Sequence, residues 1–248
     1  MRYLVLSDIH GNLEALDVVL RAVPAQAYER VLALGDLVGY GPDPNAVVDR
    51  VRALNPAGIV RGNHDKAASG VEDAEDFNAV ARIAAAWTER ALTVENRQYL
   101  AALPAGPSLV DDLIEICHGS PLDEDTYIFN ERDALPALRA SRRPVCFFGH
   151  THVALAGRLL DPARVRIELP QGRPEFEIAV RADEKCLINP GSVGQPRDGD
   201  SRAAYAIADV EHGRVQLCRV SYPIQIVQAK ILAAGLPSFL AHRLGMGR

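Results

Sequence analysis

Residues 3–12 read YLVLSDIHGN: four apolar residues, then a polar cluster holding Ser7, Asp8, His10, Gly11 and Asn12. The apolar run suits a buried strand, and Asp8 and Gly11 end it abruptly. Leu13, Leu16, Leu20 and Val23 then recur at helical spacing, so the segment reads as strand, turn, helix. The pattern returns twice. Residues 31–36, VLALGD, end a strand over Val31 to Leu34 in Gly35-Asp36, and residues 59–65, IVRGNHD, end in Gly62-Asn63-His64-Asp65. Steps of 28 residues from Asp8 to Asp36 and 27 from Asp36 to Asn63 each fit one βαβ unit. Parallel strands joined by right-handed crossovers deliver their carboxyl ends to one sheet edge, where open α/β folds place their sites.

Outward from this core, the periodicity predicts helices over about Ala46 to Leu54, Phe77 to Ala91 and Val94 to Leu103, the last capped by Thr93. Leu109-Val110 and Leu113 to Cys117 flank Asp111-Asp112 like a hairpin, and the second run ends at His118-Gly119. Glu131 to Ala140 reads as a helix despite Pro136, and Val145 to Phe148 ends at Gly149-His150. Six strand-like stretches follow between Ala154 and Val220, so a second sheet packed on the first is the economical arrangement. A late helix over Ile224 to Ala234 is interrupted by Pro237, and Leu244 to Arg248 are expected to fray.

The chain has 248 residues, 48% hydrophobic and 24% charged, with net charge -5. A chain of this size buries roughly 70–75% of its extended surface, and no linker interrupts it, so 1–248 reads as one domain. A substrate-selecting wall is expected at 120–143, with positive charge from Arg139, Arg142 and Arg143, and a helical tail at 222–248. The four cysteines form no Cys-x-x-Cys pair, and they read as buried thiols of a cytoplasmic protein. The apolar start is too short for a signal peptide, and no segment offers about 18 continuous apolar residues for a membrane span. The acidic balance argues against a broad nucleic-acid surface.

Five groups carry the chemistry: Asp8-x-His10, Gly35-Asp36, Gly62-Asn63-His64-Asp65, His118-Gly119 and Gly149-His150-Thr151-His152. They contain five of the seven histidines, and each follows a predicted strand. Singly, each has a bland explanation, since an aspartate after a strand often caps a helix and a core histidine often satisfies a carbonyl. Together they offer imidazole, carboxylate and amide oxygen, a donor set for borderline divalent metals and larger than one ion needs. Asp36, on the middle of three strand ends, is the candidate bridge. Asp8 and His10 alternate along an extended stretch and can share one ion. His150 and His152 have the same spacing, which is satisfied whether both face one ion or each serves a different one.

From Asp8 to His152 this ordered set resembles the calcineurin-like metallophosphoesterases. The resemblance implies an α/β fold with two packed mixed β-sheets flanked by helices, a four-layer α/β/β/α sandwich. It also implies two divalent or mixed-valence transition-metal ions, manganese or iron first, with zinc, nickel or cobalt as further choices. By motif, Asp8, His10 and His152 would hold one ion, Asn63, His118 and His150 the other, and Asp36 would bridge. His64 would act beside the scissile phosphate, with Asp65 orienting it. Hydrolysis would proceed by metal-activated hydroxide on a small phosphate ester or a nucleotide, by phosphodiesterase or phosphatase action. A phosphoprotein phosphatase, a nuclease and a noncatalytic metal-stabilised binder are the alternatives. Leu37-Val38-Gly39 replaces the Val-Asp-Arg-Gly continuation of serine/threonine phosphatases, which disfavours the first of these. Oligomeric state is left open. Around the centre, Asn12 reads as a helix cap, Arg61 as a phosphate contact or a solvent-facing edge residue, Tyr40 as a pocket wall or loop packing, and 189–197 as a cleft wall or a constrained turn.

Overall fold

The computed structural model describes residues 1–170 and 172–248. The chain begins β1 (Tyr3–Leu6), α1 (Leu13–Ala22), β2 (Arg30–Ala33), α2 (Pro44–Ala53), β3 (Gly58–Ile59), α3 (Asn63–Ser69), α4 (Ala79–Ala91), α5 (Val94–Ala101), β4 (Ser108–Leu109) and β5 (Ile114–Ile116). It continues through α6 (Glu131–Ala140), β6 (Val145–Phe147), β7 (Leu155–Asp161), β8 (Arg164–Glu168), β9 (Glu175–Ala179) and β10 (Cys186–Asn189). The last elements are β11 (Ala203–Asp209), β12 (Arg214–Val220), α7 (Ile224–Ala233) and α8 (Ser238–Met246).

Two sheets form, in strand orders β3-β2-β1-β11-β12-β9 and β4-β5-β6-β10-β7-β8. In the first, β1, β2 and β3 are parallel, and in the second β5, β6 and β10 are parallel, while the outer pairings are antiparallel. Both sheets are therefore mixed. Period-two alternation assigns their faces. Tyr3, Val5, Leu32, Ile114, Ile116, Val145, Phe147 and Ile188 meet between the sheets. Leu4, Leu6, Val31 and Ala33 face the helical layer of Leu16, Val19, Val47 and Val51. Cys146, Phe148, Leu155 and Leu187 face Ala134, Ala137 and Leu138 of α6. Helices cover both outer faces, which makes the expected four-layer α/β/β/α sandwich, and strands buried on both faces explain the unbroken apolar runs in the sequence.

Three features depart from the sequence reading. The sheets do not divide the chain into halves: β9, β11 and β12 join the sheet begun by β1, and β4 to β6 join the sheet completed by β10, β7 and β8. α3 begins directly at Asn63, inside a motif that carries no helical periodicity; Asp65 closes its first turn by accepting from Gly62 N at 3.0 Å. The third lies in the tail, where Pro237 separates α7 from α8 and stands directly before α8, so its missing N–H costs nothing. Leu240, Ala241 and Leu244 of α8 are buried in the core beside Val227 and Ile231, so packing holds the tail residue Leu244 where fraying was expected. All four cysteines are buried and free. Among the described residues, no helix is long and apolar enough to cross a membrane.

Candidate metal centre

The sheet orders bring the five motifs together. β2 lies between β1 and β3, so Asp36 stands between Asp8 with His10 on one side and Asn63 on the other. β5 and β6 are parallel neighbours in the facing sheet, so His118 and the pair His150 and His152 emerge side by side. Two groups of side chains result: Asp8, His10, Asp36 and His152, and Asp36, His118 and His150. Within each group the donor atoms lie within 4.8 Å of one another, and Asp36 belongs to both.

The backbone is bent to achieve this. Asp8, His10, Asp36, His150 and His152 all have positive φ, between 50° and 65°. Left-handed conformations at residues other than glycine cost roughly 1–3 kcal/mol each and persist only where surrounding contacts over-determine them. Those contacts are present: Asp8 N donates to Gly35 O (3.1 Å), His10 N to Asp36 O (2.9 Å) and His150 N to the Asp8 carboxylate (3.1 Å). Ser192 Oγ donates to Asp8 O at 2.7 Å, and Asn189 Nδ2 to Gly149 O at 2.7 Å. The Asn189–Arg197 stretch thus buttresses two of the turns from behind, and His152 Nδ1 donates to its Gln195 O at 2.6 Å.

Ring orientation follows from such bonds. A carbonyl only accepts, so His10 Nδ1 donates to Val38 O (2.9 Å) and His118 Nδ1 to Leu34 O (2.7 Å), as His152 does to Gln195. Each of these rings therefore directs its Nε2 into the centre, the orientation that metal-binding histidines adopt. His150 is reversed: its Nε2 donates to Asp125 O at 3.0 Å and its Nδ1 turns inward. In consequence His10 Nε2 and His152 Nε2 face each other at 3.1 Å, and His118 Nε2 and His150 Nδ1 do the same at 3.1 Å. Lone pairs opposed at that distance repel unless a proton or a metal cation lies between them.

At the first pair burial drives both His10 and His152 well below the ordinary imidazole range, which disfavours a proton shared between them and suits the pair to a metal cation. At the second pair, burial lowers His150 to about 3. For His118 burial also disfavours charge, but the Asp36 and Asp8 carboxylates outweigh it and raise this ring to about 10. Asp36 is fully buried, which opposes its charge, yet His118, His64 and His10 around it hold it well below the usual carboxylate range. An ion arriving at His118 must displace a proton, so metal affinity is expected to rise with pH below that value. Calorimetric loading in buffers of different ionisation enthalpy, at about pH 6 and about pH 8, measures it. Proton-independent heats and equal affinities would contradict this picture.

Asn63 adds a further observation. Its Oδ1 is buried and has no hydrogen-bond partner, an expensive state for an amide oxygen that a cation relieves. His64, also buried, donates its backbone N–H to Asp36 Oδ1 (2.9 Å) and packs its ring between Tyr40 (4.3 Å between centroids) and Phe77 (4.7 Å). Asp65 corrects the sequence expectation. Its Oδ1 accepts from Leu37 N (2.9 Å) and Val38 N (3.2 Å) and its Oδ2 from Gly62 N, while His64 Nδ1 has no partner. Successive residues of a helix point apart, so Asp65 braces the turn after Asp36 and does not orient His64.

The centre floors a cleft of about 230 Å³ lined by Asp36, Asn63, His64, His150 and His152, with Tyr40, Phe77, Tyr127 and Arg197 among its walls. The stretch 120–143 contributes Tyr127, stacked on His150 at 3.9 Å, whereas its arginines turn elsewhere. Arg139 bonds Pro162 O, Arg142 Nε lies 4.0 Å from Glu115 Oε2, and Arg143 bonds Asp111 O. Arg61 is spent on Glu124, at 3.1 and 2.9 Å. Asn12 caps α1 through Ala15 N (3.1 Å) and donates to Gly194 O. Tyr127 and Arg197 fall inside the two stretches expected as walls, 120–143 and 189–197, although neither residue was singled out, and the three orienting carbonyls were missed. Carbonyls carry no sequence signal, and Tyr127 lies outside every motif.

Likeness to known proteins agrees with this geometry. A metallophosphoesterase from Sphaerobacter thermophilus shares 42% identity, with a TM-score of 0.87 over 100% of this chain and 99% of that one. An uncharacterized protein of Methanocaldococcus jannaschii is 34% identical over 249 residues, covering 98% of this chain and 97% of the relative. A hypothetical protein from Pyrococcus horikoshii, 22% identical, shares the fold with a TM-score of 0.79 over 100% of this chain and 98% of that one. Fold and paired ligand groups together support metal-dependent hydrolase chemistry at a binuclear divalent centre. Residues 1–213 match the calcineurin-like phosphoesterase superfamily domain, and the chain belongs to that superfamily.

Proposed function

We propose that this protein hydrolyses phosphate esters of small or nucleotide-like alcohols, with Asp8, His10 and His152 holding one divalent ion, Asn63, His118 and His150 a second, and Asp36 shared between them. The observation that carries this reading is the pair of ligand groups that share the Asp36 carboxylate, the donor atoms of each lying within 4.8 Å of one another. Two such ions, when bound, lower the pKa of a shared water and neutralise charge on phosphoryl oxygens. The chain itself supplies the rest. Carbonyls of Leu34, Val38 and Gln195 hold the rings in register, and Tyr40, Phe77 and Tyr127 exclude water from the cleft walls. A cleft of about 230 Å³ suits a small alcohol or nucleoside better than a folded phosphoprotein. Residues 1–248 read as one domain, supported by sheets that each take strands from both halves of the chain.

Burial lowers His64 to about 4, so its ring is neutral at working pH and offers an N–H to a phosphoryl or leaving-group oxygen. His64→Ala is expected to keep both ions and to lose about 10²-fold in rate, the scale of a positioned proton donor. An unchanged rate with every leaving group would remove His64 from the reaction.

The function itself is tested with chelator-stripped protein restored with manganese and assayed on p-nitrophenyl phosphate and bis(p-nitrophenyl) phosphate. Turnover should return at two ions per chain, and single turnover in labelled water should place solvent oxygen in the product. Two tightly bound ions without turnover would favour the noncatalytic binder, and efficient cleavage of nucleic acid alone would favour the nuclease.

A further inference from the structure

Among the described residues lining the cleft, Arg197 is the only permanent cation. Its placement is built. The Arg197 backbone N–H donates to His152 O at 3.1 Å, which ties it to a candidate ligand turn. Its guanidinium lies 5.6 Å from the Tyr40 ring centre, and Tyr40 in turn packs on His10 and His64. One Nη donates to Gln195 Oε1 at 3.0 Å, whereas Nε is buried without a partner. The adjacent carboxylate, Asp198, turns away to Arg219. Arg243 of α8 brings a second guanidinium to within 5.8 Å of the same Tyr40 ring, with its own Nε on Arg248 O. Two guanidinium groups gathered on one aromatic ring repel each other, and Arg197 helps burial lower Arg243 to about 10. An oxyanion bound at Arg197 in the cleft offsets that repulsion.

The chemistry of phosphate esters specifies which oxyanion. A monoester presents three non-bridging oxygens and up to two negative charges; a diester presents two and one. Two ions suffice for two oxygens. A guanidinium fork beside them finds a third charged, non-bridging oxygen only in a monoester; in a diester that position carries an esterified oxygen, a weaker acceptor, with its substituent. We propose that Arg197 receives the third non-bridging phosphoryl oxygen, so that the cleft selects phosphomonoester dianions over phosphodiesters; this rests on the phosphoesterase reading above. The reaction then consumes one water: the bond from phosphorus to the alcohol oxygen breaks, a bond from phosphorus to the water oxygen forms, and one water proton ends on the alcohol. Inorganic phosphate leaves as product and, having the same free oxygens, also binds Arg197.

The test uses manganese-loaded wild type, Arg197→Ala and Arg197→Lys, with metal content and circular dichroism checked first. kcat and KM are measured on p-nitrophenyl phosphate and bis(p-nitrophenyl) phosphate, which share a leaving group, and inorganic phosphate binding is measured by calorimetry. Wild type should prefer the monoester. Arg197→Ala should lower kcat/KM for the monoester about 10²-fold and weaken phosphate binding, while changing the diester less than about threefold. Arg197→Lys should recover part of the loss, because it restores charge without the fork. If Arg197→Ala does not fold, Arg197→Lys alone carries the comparison, with a monoester-selective loss of about tenfold. Equal losses on both esters, unaltered phosphate affinity or a wild-type preference for the diester each overturn the proposal. Absence of turnover on either ester by wild type with two bound ions sinks the phosphoesterase reading instead, and the calorimetry still judges Arg197 as an anion receptor.

Discussion

Asp36→Asn is expected to release both ions and to lower turnover about 10³-fold or more, since losing the metal charge removes several kcal/mol of transition-state stabilisation. The reason is position. Asp36 Oδ2 lies 3.4 Å from His10 Nε2 and 3.5 Å from His118 Nε2, so one carboxylate faces both ligand groups. An amide keeps the shape, and its oxygen can still accept from His64 N, as Asp36 Oδ1 does at 2.9 Å, so the fold is preserved while the shared negative charge is lost. Elemental analysis of the folded variant alongside kcat measures the effect. Two retained ions with wild-type turnover would show that Asp36 is not shared.

Gly62→Ala should be nearly as damaging although it adds one methyl group and removes no ligand. A Cβ at Gly62 would lie 2.1 Å from Asp36 Oδ1 and 2.5 Å from Asp36 N, well inside contact distance. Either the carboxylate moves or the start of α3 does, and α3 takes Asn63 and His64 with it. A displacement on the order of 1 Å at a reacting centre costs about 10²-fold in rate. Weaker binding of at least one ion should accompany the loss. Gly157→Ala is the matched control, because a Cβ there meets nothing closer than 3.8 Å. Equal behaviour of the two variants would mean that the turn after β3 tolerates displacement.

Apolar runs ending in glycine and a polar residue were readable because a strand buried on both faces needs no polar position until its carboxyl end. That is why β1, β2, β5 and β6 appear in the sequence close to their structural bounds. α3 was not readable, since seven residues that contain His64 and Asp65 facing inward show no amphipathic period. Pro237 marks the break between α7 and α8, while the burial of Leu244, where fraying was expected, was not readable because its core partners Val227 and Ile231 lie on another helix. Asp65 was placed beside His64 by adjacency alone, and its three backbone partners lie at the turn after Asp36 and at Gly62.

The linear order of strands, glycines and donor residues by itself determined the sandwich and the chemical types available at its edge, because local alternation and backbone sterics are encoded within a few residues. Only the tertiary structure decided that Asp36 faces both groups, which nitrogen of each imidazole turns inward, and that Arg197 and Arg243 arrive on Tyr40. Those outcomes depend on hydrogen bonds and packing between residues as distant as His10 and His152, and no local pattern carries the coordinates of a partner on another strand.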